Sequence, residues 1–308
     1  MKFTNEPLYE ILNTLKQVLN TLNPHDILEF EVLNPDLYDS TYAGTFVKID
    51  NQEHIYRGLK AYSDLCELLN CKMLLPVQKD EKTVLIRFKK LNNQESFHLN
   101  EDSKEKYGTS SHFSQIQKNE EPAFLAHYIK ALENVKIDSR LRILNLGVNT
   151  GEEFKIIKNM VENFKNHELV GIDYSESAIK EAKKSFSDSN ITFIQHDINE
   201  LKSLNLGEFD LIISIGTLQS SNLEFNPLFM SIVQNYLKKD GAMVLGFPNC
   251  RWIDGEMIYG AEVKNYNFSE LGVLFKDAIF CKKYLQQKKF RVTLTGKNYI
   301  FLTATSIR

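Results

Sequence analysis

Apolar positions along the chain change period several times, and each change predicts an element. Leu8, Ile11, Leu12, Leu15, Val18 and Leu19 recur at helical spacing, which predicts a helix over residues 6–21. Residues 27–32 read as a strand. Thr41–Ile49 and His54–Leu59 flank Asp50-Asn51-Gln52, a hairpin signal. A helix over 59–69 follows, then a second hairpin from Lys72–Val77 and Thr83–Phe88. From residue 122 the order becomes regular. Strands are predicted over 142–146, 168–172, 191–195, 210–215 and 242–247. Helices are predicted over 122–132, 152–164, 176–186, 227–237 and 269–288, with an irregular stretch before the last of these. A hairpin over 290–294 and 299–303 ends the pattern. Strands alternating with helices require right-handed crossovers and a mainly parallel sheet. The terminal hairpin places one antiparallel strand in it.

Between these regions, residues 91–120 are polar and lack apolar periodicity, the signature of a connector. The expected organisation is an α+β accessory domain over 1–100, a linker or lid segment over 101–121, and a larger domain over 122–308. That larger domain is expected to be a Rossmann-like, doubly wound α/β fold with a seven-stranded sheet.

Composition narrows the classes. The 308 residues are 43% hydrophobic and 25% charged, an ordinary globular balance. Apolar runs are far too short for a membrane span of about 20 residues. The N-terminus lacks a signal-peptide pattern, so cytoplasmic residence and no membrane contact are expected. The net charge of −3 excludes a strongly basic nucleic-acid binder as the whole-chain reading. The four cysteines form no CxxC motif and have no nearby His pair. They predict buried thiols and no metal site.

The chemistry lies at the strand ends. Arg142-Ile143-Leu144-Asn145-Leu146-Gly147-Val148-Asn149-Thr150-Gly151-Glu152 runs from an apolar strand through a glycine-containing turn into a helix. A residue without a side chain at Gly147 admits a ligand to the backbone. The next strand ends in Asp173, 22 residues after Gly151, a spacing suited to accepting hydrogen bonds from ribose hydroxyls. A third strand ends at Asp197, placed to accept from an adenine amino group. A fourth, Phe209–Ile215, reaches the same carboxyl edge. A dinucleotide dehydrogenase is disfavoured, because its turn requires GxGxxG and the spacing here is Gly147-x-x-x-Gly151.

With these motifs in order, residues 122–303 resemble a class I S-adenosylmethionine-dependent methyltransferase. LNLGVNTGE resembles the family's glycine-rich motif, VGIDYSESAI the motif with the ribose acid, and FIQHDI the adenine-side motif. FDLIISIGTLQ and LKKDGAMVLGFPN are similar to the fourth and fifth strands. The resemblance implies S-adenosyl-L-methionine as cofactor and S-adenosyl-L-homocysteine as product. It implies cofactor contacts from Asn145, Gly147, Asn149, Gly151, Asp173, Tyr174, Asp197, Ile198, Ser214 and Gly216, with Tyr107 as a lid residue. Asn145 stands where the family usually has an acid, and Asn149 where it usually has glycine.

Methyl transfer is an in-line displacement on an activated carbon, so alignment matters more than a dedicated triad. No catalytic residue is assigned. Asn249, Arg251, Trp252 and Tyr259 lie in a stretch expected to leave the sheet at its carboxyl edge, and are candidate acceptor-binding residues. His112 is a candidate base. Residues 264–308 carry 9 basic and 2 acidic residues, a surface that RNA phosphate could meet. The first hundred residues carry 11 basic and 14 acidic ones, which favours a small molecule or a protein side chain as acceptor over RNA. A homodimer stays open. The alternative reading, motivated by Asn145 and Asn149, is a non-catalytic binding or scaffold protein on the same fold.

Overall fold

The computed structural model describes residues 1–94, 115–220, 223–260 and 271–307. The chain divides into two compact units. The first holds the described residues up to 94 together with Trp252–Tyr259. The second holds the described residues from 115 to Arg251 and from Gly260 onward.

In the first unit, α1 (Leu8–Thr21) precedes β1 (Ile27–Leu33). A small hairpin follows, β2 (Phe46–Ile49) with β3 (Gln52–Ile55), then α2 (Leu59–Leu68), β4 (Cys71–Gln78) and β5 (Thr83–Lys90). Strands β1, β5 and β4 form an antiparallel sheet in that order. The helical stripe predicted for α1 is the buried one: Ile11, Leu15 and Leu19 meet Phe30, Ile86 and Phe88 of the sheet. Asp50 and Asn51 both have positive φ, the conformation a two-residue hairpin turn needs. The first hairpin strand, Phe46–Ile49, is shorter than the predicted 41–49, because the chain ahead of it turns, with Thr45 N–H donating to Tyr42 O.

The second unit is built on seven strands. In chain order its elements are α3 (Pro122–Asn134), β6 (Arg142–Leu146), α4 (Glu152–Met160), β7 (Glu168–Asp173), α5 (Glu176–Ser185), β8 (Ile191–Gln195), β9 (Phe209–Ile215), α6 (Phe225–Asn235) and β10 (Leu237–Pro248). After the short strands β11 (Cys250–Ile253) and β12 (Glu256–Tyr259) come α7 (Leu271–Gln287), β13 (Phe290–Gly296) and β14 (Tyr299–Ser306). The sheet order is β13-β14-β10-β9-β6-β7-β8. Strand order reverses between β6 and β9, and β14 is antiparallel to its neighbours. The Rossmann-like expectation holds.

Both faces of the sheet are covered, as a parallel sheet demands. On β14, Phe301 and Tyr299 pack on Phe124 of α3, with ring centroids 5.6 and 5.1 Å apart. Leu302 and Ala304, one position over, face Phe229 of α6 and Cys281 and Leu285 of α7. Each such fully buried large side chain contributes roughly 1.5–3 kcal/mol.

Three predicted elements shift. The helix from 152 stops at Met160, not at 164, because Val161 is extended and Phe164–Asn166 makes a separate 3-10 turn. Strand β10 begins at Leu237, which pairs with Phe209 before a register shift ahead of Ala242. The stretch after β10, expected to be irregular, forms a hairpin: β11 and β12 pair around Asp254-Gly255, both at positive φ.

Candidate active site

The carboxyl edge of the second unit's sheet gathers the predicted strand ends. Asn145, the penultimate residue of β6, is buried between Gly171 of β7 and Ile213 of β9. The following turn is held to β7: the Gly147 and Val148 N–H groups donate to Ile172 O at 2.8 and 3.1 Å. Gly147, Asn149 and Gly151 all have positive φ. Asn tolerates that conformation, so Asn149 keeps the backbone path that glycine would take. At Gly147 a Cβ would overlap the Thr217 hydroxyl and lie 2.6 Å from Thr217 Cβ. Glycine is therefore required there by backbone conformation and by packing together.

Asp173 closes β7. One carboxylate oxygen accepts from Asn149 N–H and the other from Ser175 N–H, each at 2.9 Å. The turn after β6 and the start of α5 thus hold one acid between them. Ser175, not Asp173, caps α5, its Oγ accepting from Ala178 N–H. Burial pushes the Asp173 carboxyl above the usual range; the amide bonds from Ser175 and Asn149 oppose the shift, and Glu153 adds to it.

Along the same edge, Tyr174 is half-exposed and its carbonyl accepts from Gln195 Nε2 at 3.1 Å. Asp197 ends the β8 segment and accepts from Asn199 N–H at 2.8 Å. Ile198 beside it is buried. His196 N–H donates to Asp173 O at 2.9 Å, and its ring contacts Glu200 O and Ser203 Oγ. On β9, Ser214 Oγ donates to Leu146 O at 3.1 Å. Gly216 follows with positive φ, its N–H bonded to Gly246 O. Ten of the sequence-predicted residues therefore stand on consecutive strand ends of one sheet edge. Tyr107 and His112 lie outside the described residues.

The four candidate acceptor residues divide between the units. Asn249 is buried, its Nδ2 donating to Lys297 O and its N–H to Asn298 O. Arg251 Nη1 donates to Gly260 O at 3.0 Å. Trp252 and Tyr259 belong to the first unit, where the Tyr259 N–H donates to Glu67 Oε1 at 2.7 Å.

Three residues that the sequence reading passed over complete the neighbourhood. Glu152 and Glu153 open α4 directly after Gly151 and are both buried. Lys118, in the short turn Lys118–Glu120 ahead of α3, pairs with Glu153 at 3.0 Å. Lys118 sits in a polar run that reads as solvated linker, so only its long-range partner reveals it.

A family model described as a methyltransferase domain matches residues 137–294, just over half of the chain. A malonyl-[acyl-carrier protein] O-methyltransferase of Acetivibrio thermocellus is 32% identical over 139 residues, covering 43% of this chain and 46% of that protein. The chain thus spans about half the length of the curated relative it matches. Among solved structures, an S-adenosylmethionine-dependent methyltransferase from Aquifex aeolicus is 17% identical with a TM-score of 0.44, covering 63% of this chain and 98% of that one. A 1,6-didemethyltoxoflavin-N1-methyltransferase from Burkholderia thailandensis is 15% identical with a TM-score of 0.43, covering 65% and 85%. The match over residues 137–294 makes this chain a member of the class I S-adenosylmethionine-dependent methyltransferase family.

Proposed function

We propose that the protein binds S-adenosylmethionine across the carboxyl ends of β6, β7, β8 and β9 and transfers its methyl group to a small molecule or a protein side chain. The observation that carries this reading is Asp173. Its two oxygens are fixed by backbone amides, and no basic side chain is hydrogen-bonded to it among the described residues. An acid held in this way can accept from a pair of neutral hydroxyls, the chemistry of a ribose edge.

Other features support the fit. Gly147 lets the turn after β6 approach Thr217, just beyond β9, closely along the same edge. Asn145 Nδ2 is a buried donor with no partner among the described residues, and an orphaned buried donor calls for a ligand or water. In this reading Asp173 takes the ribose, Asp197 the adenine amino group, and Asn145 with the 147–151 turn the amino-acid end. Tyr174, Ile198, Ser214 and Gly216 line the remainder. Bound there, the cofactor supplies a sulfonium methyl group open to in-line attack. The chain's part is to orient the two reactants and exclude water, with a base required only where the acceptor must lose a proton.

The mildly acidic first hundred residues support a small-molecule or protein acceptor over RNA. The malonyl-[acyl-carrier protein] named for the curated relative is one acceptor to include in a screen. Calorimetry of S-adenosylmethionine and S-adenosylhomocysteine with the purified protein and with Asp173→Ala tests the reading. Binding that the substitution abolishes is expected. A folded protein that binds neither compound would overturn it and favour a scaffold role. Transfer of labelled methyl to candidate acceptors then identifies the substrate.

A further inference from the structure

Lys118 and Glu153 form a pair that the family resemblance did not bring to light. Their side chains are only 12% and 3% exposed, so neither charge is solvated. The short turn holding Lys118 is fastened to α4 at a second point, where Asn119 Nδ2 donates to Glu152 O at 3.0 Å. The Tyr128 hydroxyl of α3 reaches Glu153 O at 3.4 Å, and Lys118 Nζ stands 5.7 Å from the centre of the Phe124 ring. The chain entering α3 is thereby joined to the first turn of α4. That turn follows Gly151, in the same loop whose Asn149 N–H holds Asp173.

We propose that Lys118 is a positioning residue of the cofactor site: its ion pair with Glu153 neutralises a buried carboxylate within electrostatic reach of Asp173 and clamps the chain ahead of α3 to the start of α4. The inference rests on the cofactor reading above. Its logic is charge balance. Three acids, Glu152, Glu153 and Asp173, interact here, with Lys118 among them and Lys155 acting on Glu152. Burial alone would pull the Lys118 ammonium down, but Glu153, with Glu152 and Asp173 adding to it, outweighs burial and holds it charged. Remove that charge, and Glu153 is left unpaired in a dry site. The ionised Asp173 is then opposed by a full negative charge, and the carboxylate that should receive the ribose hydroxyls is protonated more readily.

The test measures S-adenosylhomocysteine affinity by calorimetry from pH 6 to pH 8, with thermal unfolding of every variant in parallel. Lys118→Met is expected to weaken binding roughly 10–30-fold at neutral pH, with a steeper loss toward pH 6 than in the parent protein. Lys118→Arg, which keeps the charge, is expected to bind within about threefold of the parent. The double variant Lys118→Met/Glu153→Gln removes both charges. It is expected to return to within about threefold and to recover the parent's pH slope. Should the single Met variant fail to fold, the Arg and double variants decide the matter. Parent-like affinity and pH slope in Lys118→Met would overturn the proposal, as would a double variant no better than the single one. A parent protein that binds no S-adenosylhomocysteine would instead remove the cofactor reading itself, an outcome distinct from either.

Discussion

Two carboxylates, the buried Glu31 of the first unit and the partly buried Asp173 of the second, are held in opposite ways. Glu31, on β1 of the first unit, is 5% exposed and receives Lys2 at 2.9 Å as well as Lys79. The Lys79 bond lowers its pKa against the opposing effect of burial, with Lys2 adding to the shift. Among the described residues Asp173 receives only amide hydrogens, and burial raises its pKa. The first acid is electrostatically complete and serves the sheet. The second stays short of compensation until something donates to it. Neutral hydroxyls suit that need, because they supply hydrogen bonds without adding a second ion that would itself have to be desolvated.

The contrast can be broken most forcefully at Asp173. Replacing it with Ala removes hydrogen bonds to a charged acceptor worth about 1.5–3 kcal/mol each, so S-adenosylhomocysteine affinity should fall ~100-fold or more in calorimetry. Gly147→Ala comes next. The new methyl group meets Thr217 in a left-handed backbone conformation, and a loss of roughly 2–3 kcal/mol in denaturant unfolding is expected. Pairing it with Thr217→Ala should recover only part of the packing loss, since the hydroxyl and γ-methyl go but the Cβ stays 2.6 Å away, and should leave the backbone cost of about 1 kcal/mol in place.

A pH series sharpens the comparison by sign. Asp173 has a raised folded pKa, so its ionised form works against folding. Its contribution is fully present below the ordinary Asp range and is lost as pH rises through the raised value. Cofactor affinity should run the other way, falling by up to about tenfold per pH unit as pH drops through that same value. Glu31 is lowered, so its stabilisation is present above the ordinary Glu range and is lost as pH falls through its folded pKa. The smallest effect is expected from Glu31→Gln. It should cost about 1 kcal/mol in thermal unfolding, since both lysines are half-exposed and screened, and leave S-adenosylhomocysteine affinity unchanged.

What the sequence made legible was local. Apolar runs ending in Asn145, Asp173, Asp197 and Ser214-Ile215-Gly216 predict strand ends by themselves, and the sheet edge follows from their alternation with helices. The acid at residue 173 is legible because its distance from the turn is set by one helix and one strand. Lys118 is not, because its partner lies 35 residues away and its own neighbours are Gln, Asn and Glu. The β11–β12 hairpin carries a signal that could have been read: Asp254-Gly255 is a favoured type I′ turn pair. Its flanks, Cys250–Ile253 and Glu256–Tyr259, are too short and too mixed in polarity to advertise strands. The attachment of Trp252–Tyr259 to the first unit is a tertiary fact with no local trace.

That hairpin has a consequence for the chain as a heritable object. Asp254 accepts from Asn92 N–H and pairs with His25 at 2.8 Å, Glu256 pairs with Lys72, and Ile253 and Ile258 pack on Leu91. A segment encoded after β10 therefore completes a unit encoded mostly before residue 95. No single crossover within residues 95–114 could exchange either unit whole. A gene fragment ending there lacks the hairpin, and one beginning there carries it without its partners. Exchanging one unit whole takes further crossovers on both sides of Trp252–Tyr259.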